Sequence, residues 1–296
     1  MPFAGLRVLS LESRRAKEME ALIRREGGDP FIAPSVQERA LDDNGDAIRF
    51  VERLEADEFD MVIIMTGTGL AFLRDQIATH SSAARLGPAL GRVTVVSRGP
   101  KPLPILRELG ARAQIVVPEP NTWKEIVEAV AARTERRIAV QEYGRPNLEM
   151  NAALERLGAS VTPVALYRWE LPADAGPLET AARRLAARQF DVILFTSSIQ
   201  LDHLMMIANT LGLQSNVTSA LREYTAIASV GPVMTASLQA AGLPVELIPV
   251  HPKMGALVKV ASEMAGAILA QKRGALDTTL ANTLDKETLL KNEIEM

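Results

Sequence analysis

The sequence predicts an α/β protein with two parallel-sheet domains, one inserted in the other, joined by a two-stranded linker. Three observations predict it. Strand and helix patterns alternate along most of the chain, as expected of parallel sheets with helices on both faces. Three strand–helix units recur at an offset of 130 to 132 residues, which reads as an internal duplication. Two extended stretches, 30–41 and 159–172, interrupt the alternation; both mix β-branched or aromatic residues with polar ones and carry prolines. They read as two passes of the chain between the same two domains, with a cleft beside the hinge as the place for a ligand.

At 296 residues the chain can bury two modest cores more easily than one large one. A hydrophobic share of 47% and a charged share of 23% are those of a globular protein. The net charge of −3 supplies no field that would draw nucleic acid or an anionic membrane, so neither is expected as a partner. The absence of cysteine excludes disulfides, thiolate zinc sites and cysteine nucleophiles. No basic segment followed by an apolar run opens the chain and no stretch is long enough to span a bilayer, which makes the cytoplasm the expected location.

Leu6 to Leu11 reads as a strand, and Ser13 opens an amphipathic helix closed by Gly27-Gly28. Asn44 or Asp46 is placed to cap a helix bearing Ile48, Val51 and Leu54. Residues 59–65 form a buried strand that ends in Thr66-Gly67-Thr68-Gly69, with a helix from Leu70 to Ile77. A strand over Val93–Val96 leads into Ser97-Arg98-Gly99-Pro100 and a helix ending at Gly110. Gln114–Val117 is a strand, and a helix follows from Thr122. Arg137–Gln141 is a strand, followed by Tyr143-Gly144-Arg145-Pro146-Asn147 and a helix to Leu157. After a helix over Ala173–Arg188 the pattern recurs: Asp191–Phe195 with Thr196-Ser197-Ser198, Ala226–Ser229 with Gly231-Pro232, and Val245–Ile248 with Pro249. The second half lacks its own first unit, which the strand and helix at 6–26 would supply. One domain is then discontinuous, 1–33 with 170–266, and holds the other, 37–165, as an insert. Residues 267–296 read as a helix end and a polar tail.

Ligands of open α/β sheets collect at the C-terminal ends of the strands, where helix N-termini offer unpaired N–H groups and a positive dipole end. Here those turns are rich in Gly, Ser and Thr, which suits a ligand with many carboxylates or phosphates, although Ser and Thr also cap helices wherever they occur. Other signals fall away. Gly67-x-Gly69 lacks the third glycine of a dinucleotide loop, and neither a Walker A sequence nor a nucleophile elbow occurs. His80, His203 and His251 are isolated and read as surface or loop residues, with no metal-ligand spacing.

These turns resemble those of the uroporphyrinogen-III synthase family, over about residues 6–265. The stretches that carry the resemblance are Ser13-Arg14-Arg15, Ile64–Gly69, Ser97–Lys101, Glu142-Tyr143-Gly144-Arg145-Pro146, Pro163–Arg168, Phe195–Gln200, and Val230-Gly231-Pro232 through Gly242-Leu243-Pro244. The tyrosine–glycine–basic–proline turn and the tyrosine of the second linker look like the shorter bacterial form. The resemblance implies two flavodoxin-like domains and a lyase of haem, sirohaem and cobalamin biosynthesis. Such an enzyme closes hydroxymethylbilane, a linear tetrapyrrole with eight carboxylates, inverting its last ring with loss of water. No metal or organic cofactor is implied, and hydroxymethylbilane synthase would be the upstream enzyme. Tyr167 takes the place of a family tyrosine important for activity and is the candidate acid. Candidate substrate-binding residues are Arg14, Thr66, Gly67, Thr68, Ser97, Arg98, Gly99, Lys101, Tyr143, Gly144, Thr196, Ser197, Ser198 and Gly231, with Arg145 as a further source of charge. Where many members have a threonine after the glycine turn of each repeat, this chain has Pro102 and Met234, with Thr235 one place late. That weakens any scheme in which those hydroxyls do chemistry and leaves binding through backbone N–H groups intact. The competing reading is a non-catalytic module holding a tetrapyrrole or another polyanion as a sensor.

Overall fold

The structure is a computed structural model and describes residues 2–41, 45–78 and 83–294, with side chains through residue 274 apart from that of residue 83. The chain opens with β1 (Arg7–Ser10), α1 (Ala16–Arg25), β2 (Asp29–Ile32) and β3 (Gln37–Ala40). There follow α2 (Gly45–Glu55), β4 (Met61–Ile64), α3 (Gly67–Ile77), α4 (Ala83–Leu90), β5 (Thr94–Ser97), α5 (Leu103–Glu108), β6 (Ile115–Val116) and α6 (Trp123–Val130). Next are β7 (Arg137–Gln141), α7 (Leu148–Arg156), β8 (Ser160–Val164) and β9 (Tyr167–Glu170). The last part holds α8 (Gly176–Ala186), β10 (Val192–Phe195), α9 (Ser198–Thr210), α10 (Gln214–Glu223), β11 (Ala226–Ser229), α11 (Pro232–Ala240) and α12 (Met254–Ile294).

Two compact units result: Met1–Gln37 with Leu171–Met296, and Glu38–Glu170. Unit one has a parallel sheet in the order β11-β10-β1-β2, and unit two a parallel sheet in the order β6-β5-β4-β7-β8. β3 and β9 pair in a two-stranded sheet of their own. The α/β class follows from side chains that are apolar on both faces of the central strands. Every residue of β4 (Met-Val-Ile-Ile) and of β10 (Val-Ile-Leu-Phe) is buried, as helices on both sides of a sheet require. Each sheet separates two apolar clusters. In unit one Leu9, Ile193 and Phe195 face one and Val8, Val192 and Leu194 the other. In unit two Val62 and Ile64 face one and Met61 and Ile63 the other.

The repeat extends to the hydrogen bonds. β5 pairs Val96 with Ile115, and 132 residues later Ala228 pairs with Leu247 in the same sense. The Val95 N–H donates to Gln114 Oε1 at 2.7 Å, and the Ile227 N–H to Glu246 Oε2 at 2.9 Å. Asp60 is held by the backbone N–H and guanidinium of Arg137, and Asp191 in the same way by Arg7. Because Met61 pairs with Ile138 and Val192 with Val8, β1 of unit one stands where β7 stands in unit two. The β1–α1–β2 segment is therefore the counterpart of the last strand–helix unit of the other sheet, β7–α7–β8, and not of the first.

Some elements differ from the sequence reading. α4 and α10 were not anticipated: Gly87 and Pro88 break the helical pattern of the first, and Gln214–Glu223 is mostly polar. Gly87 is needed there, since a Cβ on it would run into the backbone of Leu109. The third strand of each repeat is reduced, to two residues in β6 and to a single bridge at Leu247. Asp46 lies inside the first turn of α2 instead of capping it, and Asn44 falls outside the described residues. α12 continues as one helix to Ile294, through the segment read as a tail. His203 is neither a surface nor a loop residue. It is 4% exposed on α9, with Nδ1 2.6 Å from the Ser35 carbonyl oxygen, whereas His251 is exposed and His80 falls outside the described residues. No helix among the described residues is long and apolar enough to cross a membrane.

Candidate active site at the strand tips

In unit two the C-terminal tips of β4, β5 and β7 bring together the turns that begin at Thr66, Ser97 and Gln141. Thr66 is extended (φ −147°, ψ 147°) and caps α3, its hydroxyl accepting from the Gly69 N–H at 3.0 Å. Its own N–H donates to Gln141 Oε1 at 3.1 Å, while the Gln141 amide also donates to the Glu142 carbonyl. A Cβ on Gly69 would collide with that amide, and one on Gly67 would come within 2.8 Å of the Lys101 carbonyl oxygen. The glycines thus let three turns close on one another, and Thr68 follows half-buried in the first turn of α3.

Ser97 is fully buried, and its hydroxyl donates to the Gly99 carbonyl at 2.6 Å. Arg98 is fixed at both ends of its peptide: its N–H donates to the Ile64 carbonyl at 3.0 Å, and its carbonyl accepts from the Asn121 side-chain amide at 2.8 Å. Gly99 leaves room for that amide, from which a Cβ would be 2.5 Å. The Arg98 guanidinium, half-buried, lies 4.8 Å over the Tyr143 ring, and no carboxylate among the described residues pairs with it. Burial pulls its pKa below the ordinary arginine value, against the attraction of the Tyr143 and Tyr167 oxygens. Lys101 is exposed at the end of the same turn.

Tyr143 meets Trp169 edge to face at 5.6 Å, and Gly144 (φ +76°) supports both. A Cβ on Gly144 would overlap the Trp169 ring. Gly144→Ala is therefore expected to lower stability by about 2 kcal/mol, from left-handed strain plus overpacking; urea unfolding measures it, and a loss below about 0.5 kcal/mol would refute this account of the turn. Tyr167, the first residue of β9, is 3% exposed and stacks on Phe72 at 5.2 Å, with its hydroxyl 3.3 Å from that of Thr66. Arg145 is exposed. Glu142, which the sequence reading did not single out, is buried at the tip of β7, and burial pushes its carboxyl pKa up.

In unit one the tips of β1, β10 and β11 present Glu12, Thr196 to Ser198, and Ser229 to Gly231. Ser197 caps α9 with Gln200 in a capping box, and Ser198 is buried in the first turn. Thr196 donates its hydroxyl to Glu12 Oε2 at 2.5 Å. Gly231 is buried, its N–H 3.4 Å from the Ser229 hydroxyl, which donates to the Gly231 carbonyl as Ser97 does to Gly99. Thr235 donates to Ser229 Oγ at 2.9 Å, and Met234 fills the core at 2% exposure. Arg14 is exposed at the start of α1. The repeated serines thus brace their own loops. The polar groups that sequence reasoning missed, Gln141, Asn121, Gln200 and Glu12, are long side chains that reach from one turn to another.

The arrangement in unit two combines a half-buried cation, a buried phenol and the N-terminus of α3. It can hold a carboxylate and present a proton beside it. No group of three His, Asp or Glu side chains among the described residues is arranged to hold a metal ion.

The family model described as HEM4, uroporphyrinogen-III synthase HemD, matches residues 17–259. A Bacillus subtilis (strain 168) protein described as the uncharacterized protein YjjA is 28% identical over 259 residues, 86% of this chain and 94% of that protein. Among solved structures, a mutant uroporphyrinogen III synthase from the extremely thermophilic bacterium Thermus thermophilus matches with a TM-score of 0.68 at 21% identity, covering 86% of this chain and 96% of its own. The uroporphyrinogen-III synthetase of Helicobacter pylori 26695 matches with a TM-score of 0.53 at 12% identity, covering 86% and 98%. At such identities the likeness to these structures is one of fold.

Proposed function

The chain belongs to the uroporphyrinogen-III synthase family, a lyase family whose substrate is a tetrapyrrole, and we propose that unit two's strand tips bind and activate that substrate. The reaction is the closure of hydroxymethylbilane to uroporphyrinogen III with inversion of the last ring and loss of water. Uncatalysed closure gives the unflipped isomer, so much of the work is to fold a flexible chain until the correct carbons meet. The observation that carries the proposal is Arg98, stacked on Tyr143 with no carboxylate partner among the described residues. A half-buried cation without a counter-charge is costly unless a ligand brings one, and the bilane carries eight carboxylates. The N–H groups at the start of α3 add a dipole of the same sign. Tyr167 supplies the proton with which the terminal hydroxyl leaves as water, and Thr66 orients its hydroxyl at 3.3 Å. Tyr143, Gly144, Gly67 and Gly99 shape the turns that hold these groups. We also place the reaction in the cytoplasm, directly after hydroxymethylbilane synthase, because its substrate closes by itself if released.

A coupled assay tests the proposal: porphobilinogen and the deaminase generate the bilane, the protein is added, and the oxidised porphyrin isomers are resolved. Isomer III is the expected product. Isomer I alone would favour the sensor reading. In the same assay Arg98→Gln is expected to raise KM about tenfold, the worth of one charge-assisted hydrogen bond, with kcat changed less; an unchanged KM would remove Arg98 from substrate binding.

A further inference from the structure

Gln76, near the C-terminal end of α3, has no part in the account above, yet two observations on it are not explained by packing. Its Nε2 donates to the Leu166 carbonyl at 3.1 Å, across 90 residues of chain. Its Oε1 is buried and accepts no hydrogen bond. An amide buried with one end unpaired costs free energy, and a methionine or leucine of similar volume would avoid that cost. A side chain that lowers stability where an apolar one would raise it is a candidate for a task in the site.

The Leu166 carbonyl belongs to the same peptide as the Tyr167 N–H, so the Gln76 amide grips the backbone immediately before the phenol. That carbonyl also accepts from the Leu41 N–H, but at 3.4 Å, a long contact. α3 therefore meets the tyrosine at three levels, all within unit two. Thr66, its N-cap, faces the phenol oxygen at 3.3 Å. Phe72 stacks on the ring at 5.2 Å with the planes 19° apart. Gln76, four residues after Phe72 and so on the same face of the helix, holds the preceding carbonyl. The hydroxyl contact is the weak member. At 3.3 Å it lies beyond the usual O–H···O range, so a small slide of β9 would break it. Stacked rings tolerate a range of offsets and would permit that slide, whereas a hydrogen bond to the peptide opposes it.

We propose that Gln76 is a positioning residue for the reaction: by holding the Leu166–Tyr167 peptide against α3 it keeps the phenol within reach of Thr66. This rests on the role proposed above for Tyr167. The Thr66 hydroxyl accepts from the Gly69 N–H, so its own hydrogen can turn to the Tyr167 oxygen. The phenol then keeps its proton for the hydroxyl that departs as water. Without the Gln76 donor the ring stays in the core of unit two but loses its aim, which slows turnover and leaves substrate affinity as it was.

The test is a double-mutant cycle in the isomer-resolved assay, with Gln76→Met and Gln76→Leu each made in the parent and in Tyr167→Phe. Both changes remove the donor to Leu166 together with the unpaired oxygen. In the parent each is expected to lower kcat about tenfold, less than a full misplacement of the reacting groups would. KM should stay within about threefold, as for an interaction used only in the transition state, and the thermal midpoint should not fall below that of the parent. In the Tyr167→Phe background the same changes should lower kcat by less than about twofold, because a residue that acts through the phenol has nothing left to position. A structural role would move both backgrounds alike. Parental kcat in Gln76→Met, or an equal loss in the two backgrounds, would overturn the role of Gln76 and leave that of Tyr167 standing. A loss of activity that only tracks a loss of folded protein would make Gln76 a structural residue and also overturn it. Tyr167→Phe with the turnover of the parent would remove the phenol and Gln76 with it, and a parent that forms no isomer III would overturn the reaction itself.

Discussion

Tyr167→Phe is expected to lower kcat about a hundredfold, the usual worth of a positioned proton donor, and to leave KM nearly unchanged. The ring stays: it stacks on Phe72 at 5.2 Å in the core of unit two, and phenylalanine fills the same volume. Only the hydroxyl, 3.3 Å from Thr66, is lost, so stability should fall by no more than about 1 kcal/mol. Thr66→Ala separates positioning from proton transfer. It removes the cap on the Gly69 N–H, at about 1 kcal/mol, and one contact of the phenol, and should slow turnover less than Tyr167→Phe does. Stopped assays with freshly generated bilane measure both. Equal turnover for Tyr167→Phe and the parent would remove the phenol from the chemistry and leave positioning and dipoles to carry it.

Asp191→Asn should cost unit one about 3 kcal/mol, the usual penalty for removing one partner of a buried ion pair. The carboxylate is 7% exposed and accepts from the Arg7 N–H and guanidinium at 2.8 to 2.9 Å and from the Arg273 guanidinium at 2.6 Å. It thus ties β1 to β10 and holds α12 against the sheet. Burial alone would push its pKa up, but the hydrogen bonds from Arg7 and then Arg273 outweigh it and hold the value at about 2, below the ordinary 3.8. A depressed folded pKa contributes stability that is fully present above the unfolded value and is lost as pH falls through the folded one. For Asp191 that is about 2 kcal/mol, present above about pH 4 and lost between about pH 4 and pH 2. Urea unfolding as a function of pH measures it. The slope in that window should be shallower in Asp191→Asn, and an identical pH profile would refute the assignment. Asp60 repeats the arrangement in unit two, lowered to about 2 by the Arg137 side chain first and its backbone N–H second. Its carboxylate is 31% exposed, so the same change there should cost only about 1 kcal/mol.

Much of the fold was legible because its signals are local. Buried runs such as Met61–Ile64 and Val192–Phe195 read as central strands wherever they occur, and a repeat of 130 to 132 residues needs no structure to be counted. The turns that hold candidate residues were legible for the same reason, since a strand followed by Thr-Gly or Ser-x-Gly marks its own tip. What those residues do was not. Ser97 and Ser229 look outward in sequence, yet both donate to a carbonyl two residues on. His203 looked isolated because its partner, the Ser35 carbonyl, is 168 residues away. The signal that would have found Glu12 was present, a glutamate at the same strand tip in both repeats, but it appears only once β1 is matched to β7.

The sequence by itself determined the class, the duplication and the position of the strand tips, because periodicity and turn chemistry are properties of neighbouring residues. The tertiary structure decided which strand of one repeat stands for which of the other, and which side chains are committed inward. It also decided that Arg98 meets Tyr143 while Glu12 meets Thr196. These depend on pairing across the sheets between residues far apart in the chain, where the register of one strand against the next fixes who meets whom.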